Sequence, residues 1–176
     1  MVPAVLDFEA SGFGAGSYPI EVGYVLADGR SACYLIRPEA DWQHWDSEAE
    51  GLHGISRALL SRKGRSVREV AAALNERLTG ETLYSDAWGH DYTWMALLFE
   101  YAEMSPRFKL QPLRLLLNED QQEMWDATRT IVAGELALER HRASSDARLL
   151  QQTYVRTLTP GLMRKASSGD HGPRPS

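Results

Sequence analysis

The sequence predicts an α/β fold, a mixed sheet with helices packed on its faces. Two observations predict it: the chain opens with short apolar strand segments, two of them joined as a hairpin, and helical periodicities then alternate with further short strands. The 176 residues suit one compact domain, and a 43% apolar fraction with five Trp, seven Tyr and four Phe supplies a sizeable core.

Three strand segments come first, Ala4 to Glu9, Glu21 to Leu26 and Ser31 to Arg37, with Asp28-Gly29 as a hairpin turn between the last two. The polar stretch Glu39 to Gly51, which contains Trp42 and Trp45, reads as a long connection with room for a short helix. Ser66-Val67-Arg68-Glu69 has capping-box spacing, and Val70, Ala71, Leu74 and Leu78 follow at helical intervals. Thr82 to Ser85 is a short strand, and Tyr92 to Met104 is a helix whose apolar residues nearly encircle it, so deep burial is expected. The apolar stretch Leu110 to Leu117, broken by Pro112, reads as a strand or an irregular edge. Asn118 caps a helix running through Trp125 towards Leu138, and a last helix begins near Ser144 or Ser145 and reaches Leu158. Beyond it Pro, Gly, Ser and isolated charges dominate, so the expected organisation is one domain over 1–158 and a disordered tail over 159–176.

The net charge of -5 argues against a broad basic surface that would hold long duplex DNA by phosphate neutralisation. It is compatible with an enzyme that grips a few nucleotides and draws positive charge from metal ions. No window approaches the roughly 18 apolar residues of a membrane span. The opening segment also lacks a basic stretch followed by a long apolar run, so a cytoplasmic protein with no membrane partner is expected. Cys33 stands alone in an apolar alternation, where a buried thiol without chemistry is the ordinary outcome.

Asp7 and Glu9, two apart on the first strand, point to one face while Leu6 and Phe8 point to the other. Two unit charges about 4 Å apart near a protein surface repel by roughly 4 kcal/mol, so a fold keeps such a pair in an apolar strand mainly when a divalent cation or a shared proton offsets it, although structural charge networks produce similar patterns. Other acidic pairs of this spacing, such as Glu39/Asp41 and Asp46/Glu48, lie in the polar connection and read as solvated charge. His141 and Asp146 bracket the start of the last helix, where an acid is also favoured by the helix dipole alone. Asp91 stands where a short strand meets a buried helix.

Together, Asp-x-Glu on the first strand, a later Asp opening a helix and His-x-x-x-x-Asp near the end resemble the DEDDh exonucleases of the ribonuclease H-like fold. The segments Pro19-Ile20-Glu21-Val22-Gly23 and His53-Gly54-Ile55-Ser56 add to the likeness, which covers Val5 to Leu158. His141 rather than a tyrosine at Arg142 marks the histidine branch. In the second motif, commonly His-Asn-Ala-x-Phe-Asp, the residues Asp86, Ala87, Trp88, Gly89 and His90 replace the first five positions, and the acid Asp91 survives. Asp86 and His90 read as structural rather than catalytic.

The resemblance implies a mixed five-stranded sheet flanked by helices and a 3'-to-5' exonuclease acting on single-stranded DNA or RNA. It implies two Mg2+ or Mn2+ ions on Asp7, Glu9, Asp91 and Asp146, with His141 as general base. Tyr18, Phe13 and Trp88 are candidate stacking platforms for bases, and Arg57, Arg62, Lys63, Arg65 and Arg68 form the densest basic run, more readily a solvated face than a phosphate track. A binding module without catalysis and a hydrolase of small nucleotides are the alternatives. Polymerase association, homo-oligomerisation and the choice between DNA and RNA are open at this point.

Overall fold

A computed structural model describes residues 1–136 and 141–158, and the tail expected over 159–176 lies outside the described residues. Five strands form one sheet in the order β3-β2-β1-β4-β5. The strands β1 (Ala4–Ala10), β2 (Pro19–Val25) and β3 (Ser31–Leu35) run antiparallel in succession. The turn read at Asp28-Gly29 is closed by the Leu26 N–H donating to the Arg30 carbonyl at 2.8 Å, with Gly29 at φ 85°. On the other side of β1, β4 (Thr82–Ser85) and β5 (Lys109–Pro112) pair in parallel. The mixed five-stranded sheet therefore stands as expected.

The helices are α1 (Ser47–His53), α2 (Arg57–Lys63), α3 (Val67–Leu78), α4 (Trp88–Tyr101), α5 (Glu119–Leu136) and α6 (Ala143–Thr157). At α3 the capping box is complete, with Ser66 and Glu69 each accepting the other's backbone N–H. Helix α2 was not foreseen, because seven residues carry too little periodicity; it is set by Ser56, whose hydroxyl accepts the Leu59 N–H. The Leu110 to Leu117 stretch divides at Pro112 into β5 and a 3-10 turn, Leu113–Leu116.

Helix α4 differs from expectation in two ways. It begins one turn before Tyr92, without any side-chain cap to announce it. It also buries a single stripe, Asp91, Trp94, Met95, Leu98 and Phe99, while Tyr92 and Ala96 face outward. The spacing of that stripe is the ordinary one for a helix packed on one side.

Alternation along β1 divides the core. Ala4, Leu6, Phe8 and Ala10 join the large cluster formed with α3 and α4, together with Ile20, Val22 and Tyr24 of β2. Val5 joins a smaller cluster with Val25, Leu113, Ala147 and Leu150, beneath α6. Asp7 and Glu9 thus lie on the α6 face, with Gly23 and Glu21 as their partners across the β1–β2 ladder. The α6 side of the sheet grades from apolar at Val5 and Val25 to acidic at Glu9 and Glu21.

Gly23 lets α6 reach this face. A Cβ at that position would stand 2.2 Å from the Ser144 nitrogen and 2.4 Å from the Ala143 carbonyl carbon, both backbone atoms. Gly23→Ala should therefore cost about 1–3 kcal/mol through overpacking, read as a lowered denaturant midpoint. Wild-type stability in that variant would show that the start of α6 is not tightly seated on β2.

Candidate active site

The carboxylates arrive from three layers of the fold. Asp7 and Glu9 come from the middle and end of β1. Asp146 comes from the first turn of α6, and Asp91 from the buried stripe of α4. One oxygen each from Asp7, Glu9 and Asp146 lie within 4.8 Å of one another, close enough to share a metal ion. Asp91 lines the same cavity, which has a volume of about 320 Å³ and also takes in His53, Asp86, His90, Arg129 and His141. The structure thus brings all five sequence-selected residues, Asp7, Glu9, Asp91, His141 and Asp146, to one cavity.

The start of α6 is fixed by an acid on the sheet. Arg142, the N-cap residue, makes no side-chain cap of its own. Buried Glu21 instead accepts from the Arg142 Nε at 3.1 Å and Nη2 at 2.6 Å, and from the Ala143 N–H at 2.9 Å. A carboxylate at a helix N-terminus satisfies an orphan donor and complements the dipole. His141, immediately before this cap, has φ 58°, a left-handed conformation that non-glycine residues rarely adopt.

Asp91 is 1% exposed. Its Oδ2 accepts a short hydrogen bond from the Ser85 hydroxyl, while its Oδ1 has no hydrogen-bond partner among the described residues. A buried acceptor left open normally costs stability. Here it belongs to a side chain lining the acidic cavity, which suits a cation ligand.

Mutual repulsion and burial mark the whole cluster. Burial pushes Glu9 up to about 8, with Asp146 and Glu21 as the next largest contributors. Asp91 is pushed up to about 7, again chiefly by burial and against the opposing Ser85 hydrogen bond. Asp7 is raised well above the ordinary carboxylate range by burial and by the charges of Asp91, Glu9 and Asp146.

The structure also settles where the peripheral candidates lie. Tyr18 is fully buried and stacked on Trp42 at 5.0 Å, so it is core and cannot stack on a base. Trp88 donates its Nε1–H to the Leu110 carbonyl at 3.0 Å and anchors α4 to β5. Phe13 is 68% exposed on the cavity rim, edge-on to His90 at 5.3 Å, and His90 in turn stacks on Trp94 at 5.6 Å. Arg57 is spent on the Trp42 carbonyl at 3.0 Å and the Trp45 ring, and Arg65 lies over Tyr34, in keeping with a structural reading of the basic run. Cys33 is only partly buried, and burial raises its thiol to about 11.

Sequence reasoning left both Arg129 and His53 out of the site, and His53 had a signal. It is buried and lines the cavity, its Nδ1 accepts the Ile55 N–H at 3.0 Å, and burial lowers its pKa. The His53-Gly54-Ile55 segment was the available signal.

No protein-family model matches the sequence, and no curated protein matches it. Solved structures do resemble it. Exonuclease I of Methylocaldum szegediense shares 14% identity at a TM-score of 0.64 over 92% of this chain and 41% of that one. E. coli exonuclease I in complex with a dA16 oligonucleotide gives 14% and 0.66 over the same 92% and 41%. The zinc-bound form of an E. coli ExoI-ssDNA complex gives 14% and 0.64, again over 92% and 41%. The chain thus spans about two fifths of the length of these proteins and has their fold, the ribonuclease H-like exonuclease fold that its motifs imply. Among the described residues, no helix is long and apolar enough to cross a membrane.

The raised carboxylates predict an unusual pH dependence for the metal-free protein. Glu9 and Asp91 bind their protons more tightly folded than unfolded, so the stability they contribute is full below the ordinary carboxylate range and is lost as pH rises through about 7 to 8. Thermal melts in EDTA should accordingly fall in midpoint from pH 5 to pH 8, and Asp7→Asn should flatten the decline. A midpoint that rises across this interval would contradict the assigned electrostatics.

Proposed function

We propose that this chain is a divalent-metal-dependent nuclease of the DEDDh group that removes nucleotides from the 3' end of a single strand. The observation that carries the reading is the gathering of Asp7, Glu9 and Asp146, from opposite ends of the sequence, with oxygens within 4.8 Å of one another. Exonuclease I structures of the same fold include complexes with dA16 and dT13 oligonucleotides, which favours single-stranded DNA over RNA.

The residues present fit a metal centre. The donors are all oxygen, which suits Mg2+ or Mn2+, and the open Oδ1 of buried Asp91 is a ligand atom in want of a cation. Asp7, Glu9, Asp91 and Asp146 would hold the ions. When bound, two such ions supply charge neutralisation at the phosphate, a more acidic water and support for the departing oxygen.

The remaining chemistry falls to the protein. His141, held at the cavity by its left-handed backbone, accepts the proton of the water that attacks the terminal phosphodiester, a role suited to an imidazole. Asp91 is kept in place by Ser85, and Asp146 by the Glu21 clamp on α6. Phe13 offers its exposed ring to the base of the strand entering the cavity. A volume near 320 Å³ lies at the small end of ligand sites and suits an end nucleotide rather than a continuous duplex.

Labelled single strands of DNA and RNA, a dinucleotide and a nucleoside triphosphate, each with Mg2+ or Mn2+ and with EDTA, separate the readings. Stepwise shortening from the 3' end that stops in EDTA is expected. Cleavage of the triphosphate alone would make the protein a small-nucleotide hydrolase, and binding of the strand without cleavage would make it a binding module.

Asp7→Ala and Asp146→Ala should each reduce hydrolysis to background while the circular dichroism spectrum stays unchanged. Activity near wild type in either variant would remove that carboxylate from the site. His141→Asn, which keeps a side chain tolerant of left-handed backbone, should lower kcat by about 10²–10⁴. A change of only a few-fold would take the base role from His141.

A further inference from the structure

The altered second motif creates a feature that the metal-binding scheme does not use. Asp86, immediately after β4, faces Arg129 of α5, and the Asp86 Oδ2 accepts from the Arg129 Nη1 at 3.3 Å. Both side chains are partly exposed, at 30% and 37% respectively, and both line the cavity. Among the described residues lining it, Arg129 is the single guanidinium beside five carboxylates.

Two comparisons within the molecule argue that this pair is more than a fastening for α5. Arg142 shows how a structural arginine is held here, with Nη2 at 2.6 Å and Nε at 3.1 Å from one carboxylate oxygen of buried Glu21. Arg129 makes one longer contact, the one hydrogen bond its guanidinium donates among the described residues, so further N–H donors remain for a ligand. Helix α5 is also secured independently, by Gln121 Nε2 donating to the Thr157 hydroxyl at 3.0 Å and by buried Thr128 and Val132. A partly exposed ion pair adds only about 0–1 kcal/mol to such packing.

We propose that Arg129, steadied by Asp86, binds a phosphate of the nucleotide in the cavity. This rests on the nuclease reading and adds a substrate-binding residue to it. A planar guanidinium presents paired donors to phosphate oxygens, and placed among acids it offsets part of the repulsion that an incoming phosphate meets. Asp86 limits the side chain's freedom while still ceding donors to a better acceptor.

The test measures calorimetric binding of 5'-deoxyadenylate and of deoxyadenosine to the full chain with Mg2+, beside the KM for a single-stranded oligonucleotide. Arg129→Ala should weaken 5'-deoxyadenylate about tenfold or more, leave deoxyadenosine within twofold, and raise KM for the oligonucleotide. Asp86→Asn, which removes the competing anion and keeps an acceptor for Arg129, should bind 5'-deoxyadenylate as tightly as wild type or more so. The proposal is overturned if Arg129→Ala binds 5'-deoxyadenylate within twofold of wild type, or if Asp86→Asn shows the same loss as Arg129→Ala. It is equally overturned if wild type binds nucleoside and monophosphate alike. Failure of the nuclease reading is seen separately, as no cleavage of any strand by a wild-type protein that still prefers the monophosphate in an Arg129-dependent way.

Discussion

The seating of α6 on β2 is the contact on which the site depends. It has a steric half and an electrostatic half: Gly23 removes the side chain that would collide with Ala143 and Ser144, and Glu21 takes the Arg142 guanidinium and the Ala143 N–H. Because Gly23 is the cross-strand partner of Asp7 and Glu21 that of Glu9, the residues that dock the helix alternate along β2 in register with the acids that need it. Asp146, on the first turn of the docked helix, reaches the cluster through this contact. A buried carboxylate is costly unless it is paired and hydrogen-bonded, and Glu21 meets both conditions.

The second constraint is repulsion. Burial and neighbouring charge raise Asp7, Glu9 and Asp91 above the ordinary carboxylate range, Glu9 to about 8 and Asp91 to about 7, so these three oppose the folded state as they ionise. The apolar layer directly beneath, Val5, Val25, Ala147 and Leu150, supplies the packing that tolerates this. Packing and repulsion are thus divided along the length of β1: its first residues hold the sheet to α6, and its later ones gather the mutually repelling acids.

Much of this was legible from residue spacing, and the exceptions have physical causes. Strands, hairpin and the α3 capping box are local signals, and Asp7 and Glu9 sit in a strand whose period fixes their common face. The start of α6 was misplaced by a residue or two because Ser144 and Ser145 look like caps, whereas the true acceptor, Glu21, lies 122 positions away from Ala143. Tyr18 stayed among the candidate platforms because its burial comes from Trp42, in the connection between β3 and α1, a contact no local pattern records. Asp91 shows the reverse: it is in phase with Trp94, Met95, Leu98 and Phe99, so the buried stripe of α4 already contained its inward orientation.

The two ends of the site are held differently. Asp7 and Glu9 are fixed by strand alternation, cross-strand partners and the docked helix at once, so a substitution there disturbs three layers. Asp86 and His90 stand on exposed ground at the mouth, where Arg129 on one side and Phe13 with Trp94 on the other are their partners. Residues at such a rim meet solvent rather than core, and an exchange of the whole Asp86 to His90 segment needs new partners only within reach of the cavity. The arrangement found here, an aspartate with an arginine and a histidine within an aromatic stack, is one such set of partners.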